Sequence, residues 1–272
     1  MTEDARIWYQ SSTDPSVDAP YFTRLGEYLR SIVSAGYELD AFGLQPGARF
    51  LHPITEFRCA AQVIAGALAA QRDGYDAFVI GHFQDLALRE TRAAVEIPVI
   101  GLGEASMLYA CTLGRKIALV TINPMLIPDM EQQIAQYGLE RRVVAVRAIE
   151  GQVDRFNAAF TDRGEYERVR GEFAAQIRPL LELGIDVIIP AGGYPMLLFA
   201  HEAGFHVEGA TVLNGLPVTI AAAETAIRLT RLNGTGTSRT PTYALPPSEA
   251  LAEFERALGQ SATGMGSPTH AE

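Results

Sequence analysis

Two kinds of hydrophobic pattern alternate along the chain. Short β-branched and apolar runs occupy 5–10, 37–42, 76–81, 97–101, 116–122, 143–147, 185–191 and 210–213, several of them almost continuously apolar. Runs of this length without polar alternation are what parallel strands buried on both faces require. Between them lie 20–35, 54–73, 84–94, 103–113, 126–137, 164–183, 195–204 and 217–231, where apolar residues return at helical spacing. In 164–183, for example, Val169, Phe173, Ile177, Leu180 and Leu181 are separated by charges. A regular succession of strand and helix predicts an α/β protein with mostly parallel sheets.

The pattern also repeats itself. The helix 54–73 leads through Gly74-Tyr75-Asp76 into an apolar strand and then Gly81-His82. The helix 164–183 leads through Gly184-Ile185-Asp186 into a second apolar strand and then Ala191-Gly192-Gly193. Both read as helix, Gly-x-Asp, strand, small-residue turn. The echo predicts two similar lobes, each offering a strand-end turn to a shared cleft, because ligands of open α/β sheets sit beyond the carboxyl ends of the strands. After 232 the character changes. Residues 233–242 have the Gly/Thr/Ser composition of a linker. Residues 246–258 suit a short amphipathic helix docked on a neighbouring subunit, and 260–272 are small and polar, predicting a flexible tail.

Composition narrows the chemistry. The 272 residues carry 22 basic and 32 acidic side chains, a net charge of −10, which argues against nucleic acid and anionic membranes as partners. No uncharged apolar run reaches the length of a membrane span and the start is polar, so the expectation is a cytoplasmic protein. Lys116 is the one lysine. It stands beside Arg115 ahead of a strand, a poor place for a Schiff base. No P-loop, dinucleotide fingerprint or Gly-x-Ser-x-Gly elbow is present. His201, Glu202 and His206 imitate a zinc motif, but the histidines are spaced so that they lie apart around a helix, and Gly204 interrupts it. No metal and no cofactor are expected.

The segment from Gly74 to Pro124 carries a more specific signal. It holds Tyr75-Asp76 before a strand, Gly81-His82-Phe83-x-Asp85 after it, then Pro98-Val99-Ile100-Gly101-x-Gly103-Glu104-Ala105, and Gly114-Arg115-Lys116 before a strand ending Val120-Thr121. Ala191-Gly192-Gly193 and Leu213-Asn214-Gly215 follow. Taken together, from about residue 5 to 232, this resembles the aspartate/glutamate racemase superfamily, most closely its hydantoin-racemase-like branch. The resemblance implies two pseudo-symmetric α/β lobes: 1–114 plus 212–232 as the first, 115–211 as the second, and 233–272 as linker, short helix and tail. It also implies a homo-oligomer. In that family two cysteines, one in each strand-end turn, exchange a proton at an acidic carbon, a task suited to a thiolate. This sequence has His82 at the first position and Gly192 at the second. Its two cysteines, Cys59 and Cys111, fall within helices and read as core.

The candidate site follows. His82 is the candidate acid/base, since histidine titrates in the useful range, with Glu104 as a possible second carboxylate or a helix cap. Gly192 and Gly193 read as an anion pocket or as a tight turn. Phe83 adds a backbone N–H for a developing oxyanion. Gln10, Ser11 and Ser12 end the first strand, Thr121 and Asn123 end the strand that opens the second lobe, and Tyr194 follows the glycines; each is a substrate contact or a cap or packing residue. Asp85 reads as the cap of the helix 84–94. The expected function is a cofactor-independent enzyme moving a proton on a small carboxylate, hydantoin or cyclic amide. The alternatives are a decarboxylase, hydrolase or lyase using water in the space left by Gly192, a metal-dependent enzyme using His82 with Glu104 or Asp85, and a non-catalytic small-molecule binder.

Overall fold

The computed structural model describes residues 4–48, 50, 52–149 and 153–258. In chain order the elements are β1 (Ala5–Gln10), α1 (Ala19–Ile32), β2 (Tyr37–Phe42), α2 (Pro53–Arg72), β3 (Ala77–Ile80), α3 (Leu88–Ala94), β4 (Val99–Gly101) and α4 (Leu102–Leu113). Then come β5 (Ile117–Thr121), α5 (Ile127–Gln136), β6 (Val143–Ala148), α6 (Val153–Ala159), α7 (Arg163–Leu181), β7 (Val187–Ala191) and α8 (Gly193–Leu198). The last are β8 (His206–Val207), β9 (Ala210–Val212), α9 (Gly215–Asn233) and α10 (Ser248–Ala257). No helix of the described residues is long and apolar enough to cross a membrane.

The fold is α/β with mostly parallel sheets. The chain forms two compact units, one made of the residues up to Gly101 and from Thr219 on, the other of Leu102–Val218. The first unit holds a parallel sheet ordered β2-β1-β3-β4, the second a sheet ordered β6-β5-β7-β9-β8, parallel except for β8. The central strands are buried throughout: every residue of β3, and Ile117, Ala118 and Leu119 of β5, are fully covered. Burying a Val, Leu, Ile or Phe side chain is worth about 1.5–3 kcal/mol, so these strands anchor both units. Trp8 stacks on Phe42 in the first core. Phe156, Phe173, Phe199 and Phe205 knit the second.

One strand looks forbidden by its sequence. Pro190 lies in β7, between β5 and β9, where a missing N–H should cost a ladder bond. The Ile188 carbonyl accepts from Leu213 on the β9 side, so Pro190 faces that side too; but β9 pairs only with Val187 and Ile188. The proline sits past the end of its neighbour and loses nothing.

Several boundaries differ from the sequence expectation. The helix expected over 84–94 begins only at Leu88, because Asp85 and Ala87 take left-handed backbone angles of φ 51° and 55° and make a turn first. The N-cap is Ala87, without a side-chain hydrogen bond, so Asp85 does not cap it. The helix expected over 195–204 stops at Leu198. Helix α6 and the antiparallel β8 have no counterpart in the sequence expectation. Helix α4 groups with the second unit, whereas the sequence pattern puts the boundary after 114. Its end is tied there by Arg142, whose guanidinium donates to the carbonyls of Cys111 and Gly114 at 2.8 and 2.6 Å. Residues 233–258, expected as linker and docking helix, pack on the first unit: Arg239 donates to the carbonyls of Arg92 and Val95, and Arg72 pairs with Glu255 at 2.6 Å. The expected tail, 260–272, lies outside the described residues.

Candidate functional site

The two sheets are built on one plan. One constant shift along the chain carries Ile7 onto Ile117 and its partner Ala77 onto Val187, so the β1–β3 and β5–β7 pairings superpose in register. The same shift carries Asp76 onto Asp186, and their chemistry agrees. Asp76 accepts from the Arg6 N–H at 2.8 Å and its own N–H donates back to the Arg6 carbonyl. Asp186 accepts from the Lys116 N–H at 3.0 Å and donates back to the Lys116 carbonyl. Each aspartate clamps the start of the neighbouring strand. The backbone donors of Lys116 and Arg115 hold the Asp186 carboxyl below its ordinary range. By this correspondence His82 matches Gly192, Gln84 matches Tyr194 and Ser11 matches Thr121.

In the first unit the chain leaves β3 through Gly81, where a Cβ would lie 2.3 Å from the Tyr9 ring, so the turn is pressed onto the core. The Asp85 N–H donates to the His82 carbonyl at 2.9 Å and the Leu88 N–H to the Asp85 carbonyl at 3.0 Å, closing the loop. The Asp85 carboxylate is buried against Gly101, whose Cβ, were there one, would sit 2.5 Å from it. Phe83 is a core side chain; only its backbone is available to a ligand. His82 keeps some exposed surface, but its Nδ1 is inaccessible and meets no hydrogen-bond partner among the described residues. Burial pushes its pKa down from 6.5 to about 4, so the imidazole is neutral at neutral pH.

Two residues on, Gln84 Nε2 is likewise buried and unpartnered. The sequence reading passes over it. The available signal is the polar–apolar–polar order of His82, Phe83 and Gln84: an apolar anchor in the core with a polar residue on either side.

At the end of β1, Gln10 is spent internally. Its Oε1 accepts from the Trp8 indole at 3.0 Å and its Nε2 donates to the carbonyls of Ser11 and Phe42 at 3.2 Å. It holds the strand end, and both hydrogens of its amide are already donated. Ser11 is buried, its Oγ accepting from the Thr13 N–H, and Ser12 is half-buried. Glu104 stands in the first turn of α4.

In the second unit, Thr121 is fully buried at the end of β5 and its Oγ1 has no partner among the described residues. Asn123 instead caps a short turn, its Oδ1 accepting from the Met125 N–H at 2.8 Å. Gly192 has φ 155°, a backbone angle that disfavours a side chain, and precedes α8. Gly193 opens that helix, and the Tyr194 ring packs against Phe156 in the core. The cysteines lie where the sequence put them. Cys59 is buried in α2 and burial raises its thiol pKa; Cys111 is half-buried in α4. Neither is in a strand-end turn.

The sequence matches the family model of the Asp/Glu/Hydantoin racemases over residues 15–223. The chain belongs to this family. Curated relatives include a hydantoin racemase from Rhizobium meliloti, 28% identical over 201 residues, 71% of this chain and 77% of the relative. A second, from Pseudomonas sp. (strain NS671), is 28% identical over 198 residues, 71% of this chain and 75% of the relative. Among solved structures, allantoin racemase from Klebsiella pneumoniae superposes with a TM-score of 0.78 at 23% identity, covering 94% of this chain and 99% of its own, which shows the shared fold. As a member of the Asp/Glu/Hydantoin racemase family, the chain is a racemase-type enzyme, and the chemistry of its strand-end turns takes its meaning from that.

Proposed function

We propose that the protein catalyses proton transfer at a carbon next to a carbonyl in a small cyclic amide of the hydantoin type, with His82 as the acid/base and without a cofactor. The observation that carries this is the Nδ1 of His82 at the carboxyl end of β3, buried and without a partner among the described residues. A buried polar atom left open is costly, and a binding or catalytic role is one explanation for its persistence. Because the ring is neutral at neutral pH, it has a lone pair with which to take a proton. The nitrogen accepts the proton from carbon, the C–H electron pair enters the carbon–carbon bond and the carbonyl oxygen becomes an oxyanion. Return of the proton to the planar carbon completes the cycle. The names of the relatives, hydantoin and allantoin racemase, favour the cyclic-amide substrate. The residue matching His82 is Gly192, which brings no second base. A single base and solvent must then share the proton, so deuterium from the solvent should enter the substrate.

The test is exchange of the α-proton of allantoin, and of the hydantoin derived from alanine, in deuterated water, followed by NMR. Wild type is expected to exchange at least one. His82→Gln should lower the rate about 10²–10⁴-fold, the range general acid–base groups contribute. Binding without exchange by wild type would mean a non-catalytic binder; exchange untouched in His82→Gln would remove His82 from the mechanism.

A further inference from the structure

Resting on the reading just given, we infer that Gln84 is a second substrate-contacting residue, whose Nε2–H donates to the carbonyl oxygen of the carbon acid while His82 takes the proton. The turn after β3 holds two buried side-chain nitrogens without partners among the described residues, His82 Nδ1 and Gln84 Nε2. They are chemically complementary, since one can accept and the other can only donate. They are two residues apart, yet they do not satisfy each other. A buried polar group without a partner is destabilising, and this one short turn carries two. Packing does not demand this. Phe83 already anchors the turn in the core, and Gly81 and Asp85 shape it by their contacts with Tyr9 and Gly101.

In the tautomer that carries its hydrogen on Nε2, His82 Nδ1 is an acceptor, and a group that satisfies both nitrogens then presents a hydrogen to the first and an oxygen to the second. The H–C–C=O unit of a carbon acid does so. When the imidazole removes the hydrogen, negative charge collects on the oxygen, and the Gln84 N–H bond to it strengthens as the enolate forms. That is transition-state stabilisation, and it offsets the weak basicity of a desolvated imidazole. Gln10, also polar and at a strand end, cannot do the same, because its amide is consumed by Trp8, Ser11 and Phe42.

The experiment uses the full chain and allantoin as probe, measuring kcat and KM for α-proton exchange together with the melting temperature, in wild type, Gln84→Met, Gln84→Asn and His82→Gln. Methionine matches glutamine in length and removes the unsatisfied donor. Gln84→Met is expected to melt at or above the wild-type temperature while kcat falls about 10²–10³-fold with KM changed less than about threefold, the pattern of a lost oxyanion donor. Gln84→Asn keeps the amide and should recover part of kcat. If Gln84→Met melts lower and kcat holds, the amide is structural and the inference fails. The same holds if the loss falls on KM alone. If Gln84→Met exchanges at the wild-type kcat while exchange vanishes in His82→Gln, Gln84 is excluded and the proposed function stands. If wild type exchanges no probe, the function and this inference fall together.

Discussion

A single protonation equilibrium separates His82 from the other polar residues of the strand ends. Its imidazole has a pKa near 4 in the folded chain and near 6.5 when exposed, because burial penalises the cation. Between those values the unfolded chain binds the proton and the folded chain does not. Stability contributed by His82 is therefore complete above pH 6.5 and lost progressively as pH falls toward 4. Urea midpoints measured across this window should decline for wild type and decline less steeply for His82→Gln; parallel curves would refute the burial of the ring. Carboxylates with lowered pKa, such as Asp186 and Glu172, have the same sign, so the difference between the two proteins is the quantity to read. His82 is legible in the sequence as a titratable residue ending an apolar strand. Gln84 and Gln10 are not distinguishable there. Both are glutamines by a strand end, and what separates them is whether the amide has been consumed by neighbours distant in sequence, Phe42 in one case and none among the described residues in the other. Asn123 shows the same limit, since a capping asparagine and a ligand-binding one look alike until Met125 is seen to donate to it.

Individual elements are legible wherever burial sets the pattern. Strand β3 lies within the apolar run 76–81 and β5 within 116–122, because a strand buried on both faces is apolar along almost its whole length. Errors gather where backbone conformation overrides periodicity. The start of α3 moves to Leu88 because two non-glycine residues adopt positive φ in the turn before it. Helix α6 escapes notice because seven residues carry too little periodicity to be recognised. Glycine positions make a direct test of what these elements need. Gly81→Ala forces a methyl group into the Tyr9 ring and should destabilise the protein by about 1–3 kcal/mol, as overpacked cores do. Gly171, exposed in the middle of α7, has open space for 4 Å around the point where a methyl group would sit, and its φ is not positive. Gly171→Ala should stabilise by about 0.5–1 kcal/mol, since alanine loses less backbone entropy in a helix. Chemical denaturation of the two variants against wild type gives opposite signs if the local packing is as described.

At the scale of the whole chain, the echo between 54–82 and 164–192 is a register-true repeat, with the strand orders β2-β1-β3-β4 and β6-β5-β7-β9 and a clamping aspartate in each. What the sequence places less well is the seam. The apolar pattern of 103–113 says helix but does not say whose; packing on β5 and β7, together with the Arg142 bonds to the carbonyls at its end, puts it in the second unit. That seam affects how the protein is made. The second unit is one unbroken stretch, Leu102–Val218, whereas the first is interrupted and needs α9, through pairs such as Ser34 with Glu224 and Asp76 with Arg231. On the ribosome, the later-coded unit therefore has all its parts before the earlier-coded one does, reversing the usual order in which domains mature from the N-terminus. A ribosome-stalled chain ending near 218, with a tether added to clear the exit tunnel, should resist brief proteolysis over 102–218 while the first hundred residues are cut. Protection of the first unit at that length would show that it closes without its last helix.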